Sequence, residues 1–187
     1  VSQAVLRPDL REELFVRGLD VLHREREERL APRGFGDLRE AHALQIIFPE
    51  VEALFAVPQP EQWHPEIDSG LHTMMVLDQA CLLSADPIVR FPALTHDLGK
   101  GTTPREEWAR HVGHEHRGVG LIEKLCERLR IPNAYREIAV HVSKYHLNSH
   151  RALELRAATL VELLENLDAF RLPDRFEAFV VACEADG

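Results

Sequence analysis

Apolar residues recur three to four positions apart along most of this chain, which is the spacing of an amphipathic α-helix. They follow it through residues 9–30, which end in a highly charged run, and through residues 37–48, which Pro49 ends. One further predicted helix starts at Asp68 or Ser69, and the next begins at Pro87 and ends at Gly99-Lys100-Gly101. Other predicted helices cover residues 115–130, 134–146, 152–170 and 173–185. Strand signals are poor because the few β-branched residues fall within helical periods. The predicted fold class is all-α.

Proline marks the best candidate domain boundary. Residues 57–65 contain three prolines and are typical of an extended linker. We therefore predict an N-terminal helical segment over residues 1–56 and a second domain over residues 57–187. Within the second domain, residues 101–113 are expected to form a loop with at most one helical turn.

Composition indicates a globular chain that is expected in the cytoplasm. The 187 residues suit one domain with a small appendage, and 45% of them are hydrophobic against 28% charged. The first residues show no basic-then-apolar signal pattern. No run approaches the roughly 20 apolar residues of a membrane span, so no membrane partner is expected. The three cysteines lack CxxC spacing, which argues against a disulfide framework and favours buried free thiols.

The net charge of the chain limits the kinds of ligand that it is expected to bind. The chain carries 22 basic and 31 acidic residues, a formal net charge of −9. Such a chain repels phosphate backbones at long range, which argues against a broad nucleic-acid interface. A small anionic ligand held by a metal ion or by a few local bases is still compatible with this charge.

Histidine is the compositional anomaly. Six of the 11 histidines fall between His96 and His146, and histidine is the commonest metal ligand in proteins. An isolated His96-Asp97 pair would be weak evidence for a site. Additional candidate ligands lie on other predicted helices, namely His72, His114, His146 and Asp168. Helical bundles build metal sites from such inward-facing groups, and mixed histidine and carboxylate ligands without cysteine suit a divalent ion other than calcium or a structural zinc.

The ordered pattern of these residues resembles the HD superfamily of metal-dependent phosphohydrolases. The runs FPEVEALFAVPQPEQWHPEIDSGLHT, HDLGKGTTP, RHVGHEHRG and IPNAYREIA more closely resemble the C-terminal HD region of bacterial tRNA nucleotidyltransferases, the CCA-adding enzymes. The resemblance covers residues 37–186, is most specific through residues 46–132, and is poor over residues 1–36. It implies an HD-domain helical bundle with a short N-terminal helical appendage resembling neck and body helices.

The resemblance also implies an activity, namely hydrolysis of 2′,3′-cyclic nucleotides, 2′-nucleotides and phosphomonoesters with nickel, magnesium or manganese. In it, the ligands of a first metal ion would be His72, His96, Asp97 and Asp168, while His114 and His146 would complete a second site or act on the substrate. The implied partners are a small nucleotide or phosphate ester, and tRNA only within a full-length enzyme. A homodimer is one candidate assembly.

Several neighbouring residues have two interpretations each. Lys100, Arg110 and His111 are candidates for stabilising charge on a phosphate, whereas the alternative for the two cations is a solvated surface position. Asp97 is a candidate for both holding metal and orienting the attacking water. Glu66 and Asp68 are candidates for bonding to a ligand histidine, with helix capping favoured for Asp68. Other histidines are assigned a structural or surface role (His23, His42, His64, His116 and His141), and His150 either reaches the cleft of His146 or lies in a loop.

Two rival functions remain open. The domain could be a non-catalytic tRNA-binding or dimerisation module, which the acidic charge disfavours. It could also act on nucleoside triphosphates or guanosine tetraphosphate, which the extended resemblance disfavours. The chain has no Gly-rich loop after a strand and no strand-borne carboxylates, so we expect no nucleotide addition by it.

Overall fold

The computed structural model describes residues 33–62 and 66–187, with side chains from residue 37 onward, and this part of the chain is all-α. The nine α-helices of these described residues are α1 (Arg33–Glu40), α2 (Leu44–Ile47), α3 (Pro49–Glu52), α4 (Ser69–Leu83), α5 (Pro87–Thr95), α6 (His114–Leu129), α7 (Asn133–His150), α8 (Ala157–Asn166) and α9 (Pro173–Glu184). Short 3-10 helices cover Leu98–Thr102, Arg105–Glu107 and Ala152–Glu154. The predicted helix at 9–30, with His23, and the predicted role of His64 lie outside the described residues.

Local sequence signals place the helix starts correctly. Asp68 is the N-cap of α4, where one carboxylate oxygen accepts from the main-chain nitrogens of Gly70 and Leu71 at 2.8 and 2.9 Å. Its other oxygen accepts from the main-chain nitrogen of Ala56 at 2.6 Å. Pro87 opens α5, as its fixed φ favours. The capping role predicted for Asp68 is therefore confirmed.

The helix ends differ from the predictions in three places. The helix predicted at 37–48 is broken where His42 adopts a left-handed φ of 56°, and Pro49 then begins α3. The helix predicted to reach Gly101 stops at Thr95, and the chain continues as a 3-10 helix after Asp97. The helix predicted at 152–170 is shorter, because α8 covers only Ala157–Asn166.

Helix α5 lies at the centre of the molecule. All of its residues from Val89 to Thr95 are buried. It contributes Phe91 and Leu94 to one apolar cluster and Val89 and Ala93 to another. The first cluster is completed by residues of α2, α3, α4, α6 and α7, and the second by residues of α4, α7, α8 and α9. Because α5 is enclosed on all sides, the residues that follow it, His96 and Asp97, are delivered into the interior.

The linker region joins elements that share one core. Leu44, Val51 and Leu54 have no exposed surface and belong to the same cluster as Phe91 and Leu94 of α5. The division of the chain at residues 56 and 57 stays a prediction. The three cysteines are free thiols, and burial raises the pKa of Cys126 to about 11. Among the described residues, no helix has the length and apolar composition to cross a bilayer.

Two glycines allow the turn after Asp97 to pack against α6. A Cβ added at Gly99 would overlap the main-chain carbonyl of His114 and lie 2.8 Å from the main-chain nitrogen of Gly118. A Cβ added at Gly118 would overlap the hydroxyl of Ser143 on α7. The backbone of the turn can therefore lie directly on α6 only where side chains are absent.

We expect Gly99→Ala to destabilise the fold by about 3 kcal/mol, the upper end of the usual overpacking cost, because the clash is with main-chain atoms. Gly120→Ala is the matched control: Gly120 is an exposed residue of α6 with open space at its Cβ, and alanine there should raise stability by about 0.5–1 kcal/mol. Urea unfolding of both variants gives the comparison. Equal stability of the two variants would contradict the packing argument.

Candidate metal centre

Four histidines and two aspartates from five helices surround the end of α5. His96 and Asp97, each 1% exposed, follow α5 directly. His72 lies on α4, His114 is the first residue of α6, and His146 lies in the last turns of α7. Neighbouring imidazole rings are 5.6 Å apart for His72 and His96, 5.5 Å for His96 and His146, and 5.6 Å for His114 and His146. The structure therefore brings together five of the six metal ligands predicted from sequence.

Main-chain carbonyls fix the orientation of three of these rings. The Nδ1 atoms of His96, His114 and His146 bond to the carbonyl oxygens of Ala93, His111 and Val142, at 2.8, 2.9 and 3.0 Å. A carbonyl oxygen only accepts, so the proton is on Nδ1 and the Nε2 of each ring is turned toward the cluster. This is the arrangement that imidazole ligands of metal ions adopt.

His72 is held by a carboxylate instead. Its Nδ1 lies 2.8 Å from Oε1 of Glu66, and its Nε2 lies 2.8 Å from Oδ1 of Asp186. Glu66 is thus one of the outer carboxylates that were predicted from sequence to bond to a ligand histidine, and that prediction is confirmed.

The potential ligand atoms form two adjacent groups of three. One triad is His72, His96 and Asp186, and the other is Asp97, His114 and His146; within each, the ligand atoms lie within 4.8 Å of one another. In the second triad, Oδ1 of Asp97 lies 3.2 Å from Nε2 of His114 and 3.8 Å from Nε2 of His146. The triads meet where Oδ2 of Asp97 lies 3.2 Å from Nε2 of His96. We call the two triads together the cluster.

Asp168 does not join the cluster, so the structure does not bring this predicted ligand together with the other five. It lies beyond the end of α8 with a left-handed φ of 56° and pairs with Arg171. A second arginine, Arg175, lies 3.6 Å from it. Because α8 stops at Asn166, Asp168 points along the surface rather than into the bundle.

Asp186 takes the place that was assigned to Asp168. It follows the end of α9, and its Oδ1 lies 2.8 Å from His72 and 3.4 Å from His96. Its Oδ2 lies 2.7 Å from Nε2 of His150, which settles the open question of whether His150 reaches the cleft. The signal available in the sequence was positional: Asp186 ends an apolar helix, as His96-Asp97 does.

The predicted charge-stabilising residues have different surroundings. Lys100 is 6% exposed, and its Nζ lies 2.6 Å from Oδ2 of Asp97. His111 bonds through Nε2 to the carbonyl of Pro58 at 2.8 Å and through Nδ1 to the hydroxyl of Thr103 at 3.0 Å, so both ring nitrogens have partners within the protein. Arg110 is exposed. The roles of Lys100, Arg110 and His111 toward a substrate stay predictions.

The residues present fit a divalent metal ion. Three ligand atoms are buried without a hydrogen-bond partner in the described residues, namely Nε2 of His96, Oδ1 of Asp97 and Nε2 of His114. Buried polar atoms without partners are rare in folded proteins, and here three of them converge from the end of α5 and the start of α6. Imidazole nitrogens mixed with carboxylate oxygens suit first-row divalent ions.

The electrostatics of the cluster favour added positive charge. Burial alone would lower the pKa of His96, but the charges of Asp97 and Asp186 outweigh it and raise the pKa to about 10. Burial alone would raise the pKa of Asp97, but Lys100 and His96 hold it well below its usual value. Asp186 is held well below its usual value in the same way, chiefly by His96. Both carboxylates are therefore ionised at neutral pH.

These pKa values predict proton release on metal binding. His96, with a pKa of about 10 in the metal-free protein, is protonated at pH 7, and an ion can bind its Nε2 only after that proton leaves. Metal affinity at the site that contains His96 should therefore rise with pH through the neutral range, with release of about one proton by the ion that binds there. Calorimetric titration in buffers of different ionisation enthalpy measures this number. An enthalpy that does not depend on the buffer would contradict it.

Comparison with known proteins shows the family of this chain. The model of the HD domain family matches residues 70–170. The chain is 61% identical over 152 residues to the multifunctional CCA protein of Thioalkalivibrio sulfidiphilus (strain HL-EbGR7), a match that covers 81% of this chain and 37% of that protein. It is 56% identical over 165 residues to the multifunctional CCA protein of Nitrosococcus oceani, covering 88% of this chain and 41% of that protein. The chain thus spans well under half the length of these relatives. It belongs to the HD domain family.

Proposed function

We propose that the chain is a metal-dependent phosphohydrolase that acts on 2′,3′-cyclic nucleotides, 2′-nucleotides and phosphomonoesters. The observation that carries the proposal is the convergence of two triads of potential ligands, in which Nε2 of His96, Oδ1 of Asp97 and Nε2 of His114 are buried without a hydrogen-bond partner among the described residues. Membership of the HD family supports the coarser statement of a metal-dependent hydrolase. The choice of substrate comes from the resemblance to the CCA-adding enzymes.

The residues of each triad define what could be held there. His72, His96 and Asp186 would hold one ion, and His114 and His146 with Asp97 would hold a second. A bound divalent ion lowers the pKa of a water molecule toward neutrality and polarises a phosphoryl oxygen. Four imidazoles favour nickel over manganese and magnesium, which prefer oxygen ligands.

The chain's own groups position and neutralise charge in this mechanism. Asp97 lies between the triads, so its carboxylate can orient a nucleophilic water at either one. Lys100 fixes Oδ2 of Asp97 at 2.6 Å and adds a positive charge beside the place where negative charge develops on the phosphate. Arg110 and His111 are proposed as further contacts to the substrate.

The printed names of the relatives suggest the biological setting. We propose that the chain corresponds to the HD part of a multifunctional CCA protein, with residues 1–56 resembling neck and body helices and residues 57–187 forming the HD domain. In that setting tRNA would be a partner of the full-length enzyme, and a second copy of the chain is a candidate partner in a homodimer. The acidic net charge of −9 supports a small substrate over an RNA interface for this chain alone.

The test is a substrate screen after metal removal. Protein stripped with a chelator is reloaded singly with nickel, manganese, magnesium or zinc and assayed with 2′,3′-cyclic AMP, 2′-AMP and p-nitrophenyl phosphate. We expect turnover only in reloaded samples. Stoichiometric metal binding with no turnover of any substrate would favour a non-catalytic module instead.

A second assay on the same preparation tests the domain assignment. A tRNA lacking its 3′ CCA end is incubated with CTP, ATP and magnesium. We expect no extension of the tRNA, because the sequence contains no Gly-rich, strand-borne acidic motif for nucleotidyl transfer. Nucleotide addition by this chain would contradict the assignment.

A further inference from the structure

We propose that Gln59 is a positioning residue that couples the two triads, so that each holds its ligand geometry only when this buried amide is in place. Gln59 lies before α4, outside both triads, and is 2% exposed. The inference rests on the proposed metal centre.

The side chain of Gln59 bonds to one outer partner of each triad. Its Oε1 accepts from Nζ of Lys100 at 2.7 Å. Its Nε2 donates to Oε1 of Glu66 at 3.1 Å. The amide has one workable orientation, because an ammonium only donates and a carboxylate only accepts. Gln59 therefore accepts a hydrogen bond from one neighbour and donates one to the other.

Each partner of Gln59 contacts a potential ligand directly. Lys100 lies 2.6 Å from Oδ2 of Asp97, the carboxylate at the junction of the triads. Glu66 lies 2.8 Å from Nδ1 of His72, the ring whose Nε2 meets Asp186. One route of contacts thus runs from Gln59 to the Asp97 triad, and another runs to the His72 triad.

The backbone around Gln59 is held firmly enough for its side chain to position others. Its main-chain nitrogen donates to the carbonyl of Ile67 at 2.7 Å, and the nitrogen of Ser69 donates to the carbonyl of Val57 at 2.9 Å. The carbonyl of Pro58 bonds to His111 at 2.8 Å. Residues on both sides of Gln59 are therefore anchored, to the start of α4 and to the loop before α6.

Loss of the amide would loosen both triads by different means. Without Oε1 of Gln59, the buried ammonium of Lys100 loses an acceptor and is free to shift around Asp97. Without Nε2, Glu66 loses a donor that fixes its position under His72. Replacing outer partners of metal ligands typically lowers metal affinity about 10–100-fold.

The experiment measures nickel and manganese binding by calorimetry on chelator-stripped protein. Gln59→Met keeps the approximate volume and removes the hydrogen bonds of the amide with Lys100, Glu66 and Ser69, so the Kd at both triads should rise about 10-fold or more. Gln59→Glu keeps an acceptor for Lys100 but places a carboxylate against Glu66. It should therefore weaken metal binding at the His72 triad much more than at the Asp97 triad. Gln79→Met, at an exposed position on α4, is the matched control and should bind like the wild type.

Melting curves without metal separate positioning from general structural support. A purely structural role would lower the melting temperature of Gln59→Met and leave the Kd of the folded protein unchanged, and this result overturns the inference. Equal losses of metal affinity at the two triads in Gln59→Glu also overturn the inference. This variant provides the test if Gln59→Met does not fold. If the wild type itself binds no metal, the proposed function fails and the inference fails with it. If the wild type binds metal and the Gln59 variants bind it with the same Kd, only the inference is refuted.

Discussion

Asp97→Asn is expected to abolish hydrolysis of phosphate esters while the helical fold persists. Asparagine has the shape of aspartate, so the interior around this 1% exposed residue stays filled. Asparagine lacks the negative charge of the Asp97 carboxylate, whose oxygens lie 3.2 Å from His96 and His114. Asp97 is also the only carboxylate of its triad. We expect turnover to fall by at least about 100-fold, since a positioned acid-base group alone contributes about 10²–10⁴-fold.

The same substitution should cost stability for a separate reason. It leaves the buried ammonium of Lys100 without the carboxylate now 2.6 Å away, and removing one partner of a buried ion pair costs about 3–5 kcal/mol. Adding Lys100→Met removes the orphaned charge, so the double variant should regain stability without regaining activity. Circular dichroism melts and 2′,3′-cyclic AMP hydrolysis on the three proteins separate the two effects. Unaltered turnover in Asp97→Asn would refute the role of Asp97.

The sequence predicts the histidines of the cluster well, because each lies on or at the end of a predicted helix with many apolar residues. Burial of one helix face carries such a residue inward whatever the details of packing. His72, His96, His114 and His146 all follow this rule, and the helices α4, α5, α6 and α7 that carry them are the ones predicted with nearly correct starts.

The carboxylate from the end of the chain is a different case. Asp168 and Asp186 both follow apolar helices, and the choice between them depends on where α8 ends. A helix continuing to residue 170 would have carried Asp168 on a regular face, whereas the real helix ends at Asn166 and the chain turns through a left-handed residue. Helix ends are set by local turns and tertiary contacts that periodicity does not report.

Gln59 and the short helices before it could not be predicted for a related reason. Residues 37–52 break into three helices around His42 and Pro49, so their apolar pattern is not one periodic face. Gln59 lies in a proline-rich linker whose composition indicates an exposed segment, yet it is buried because its amide satisfies Lys100 and Glu66. Such burial depends on partners 41 and 7 residues away in the chain, which no local pattern encodes.

Asp168, which was assigned from the sequence, and Asp186, which the structure places beside His72 and His96, give the sharpest remaining test. Asp186→Asn removes the only carboxylate of the triad with His72 and His96, so metal affinity at that triad and hydrolysis should both fall by at least about 100-fold, beyond the range for an outer partner. Asp168→Asn makes the same chemical change in a residue that pairs with Arg171 at the surface, and it should leave both quantities unchanged.

His150 completes the series, because it touches Asp186 but belongs to neither triad. Its Nε2 lies 2.7 Å from Oδ2 of Asp186, so it fixes the orientation of that carboxylate. Replacing it by glutamine should lower metal affinity by about 10–100-fold, the range for outer partners and less than the loss in Asp186→Asn. Calorimetry on stripped proteins ranks the three variants. Loss of metal binding in Asp168→Asn with retention in Asp186→Asn would reverse the assignment.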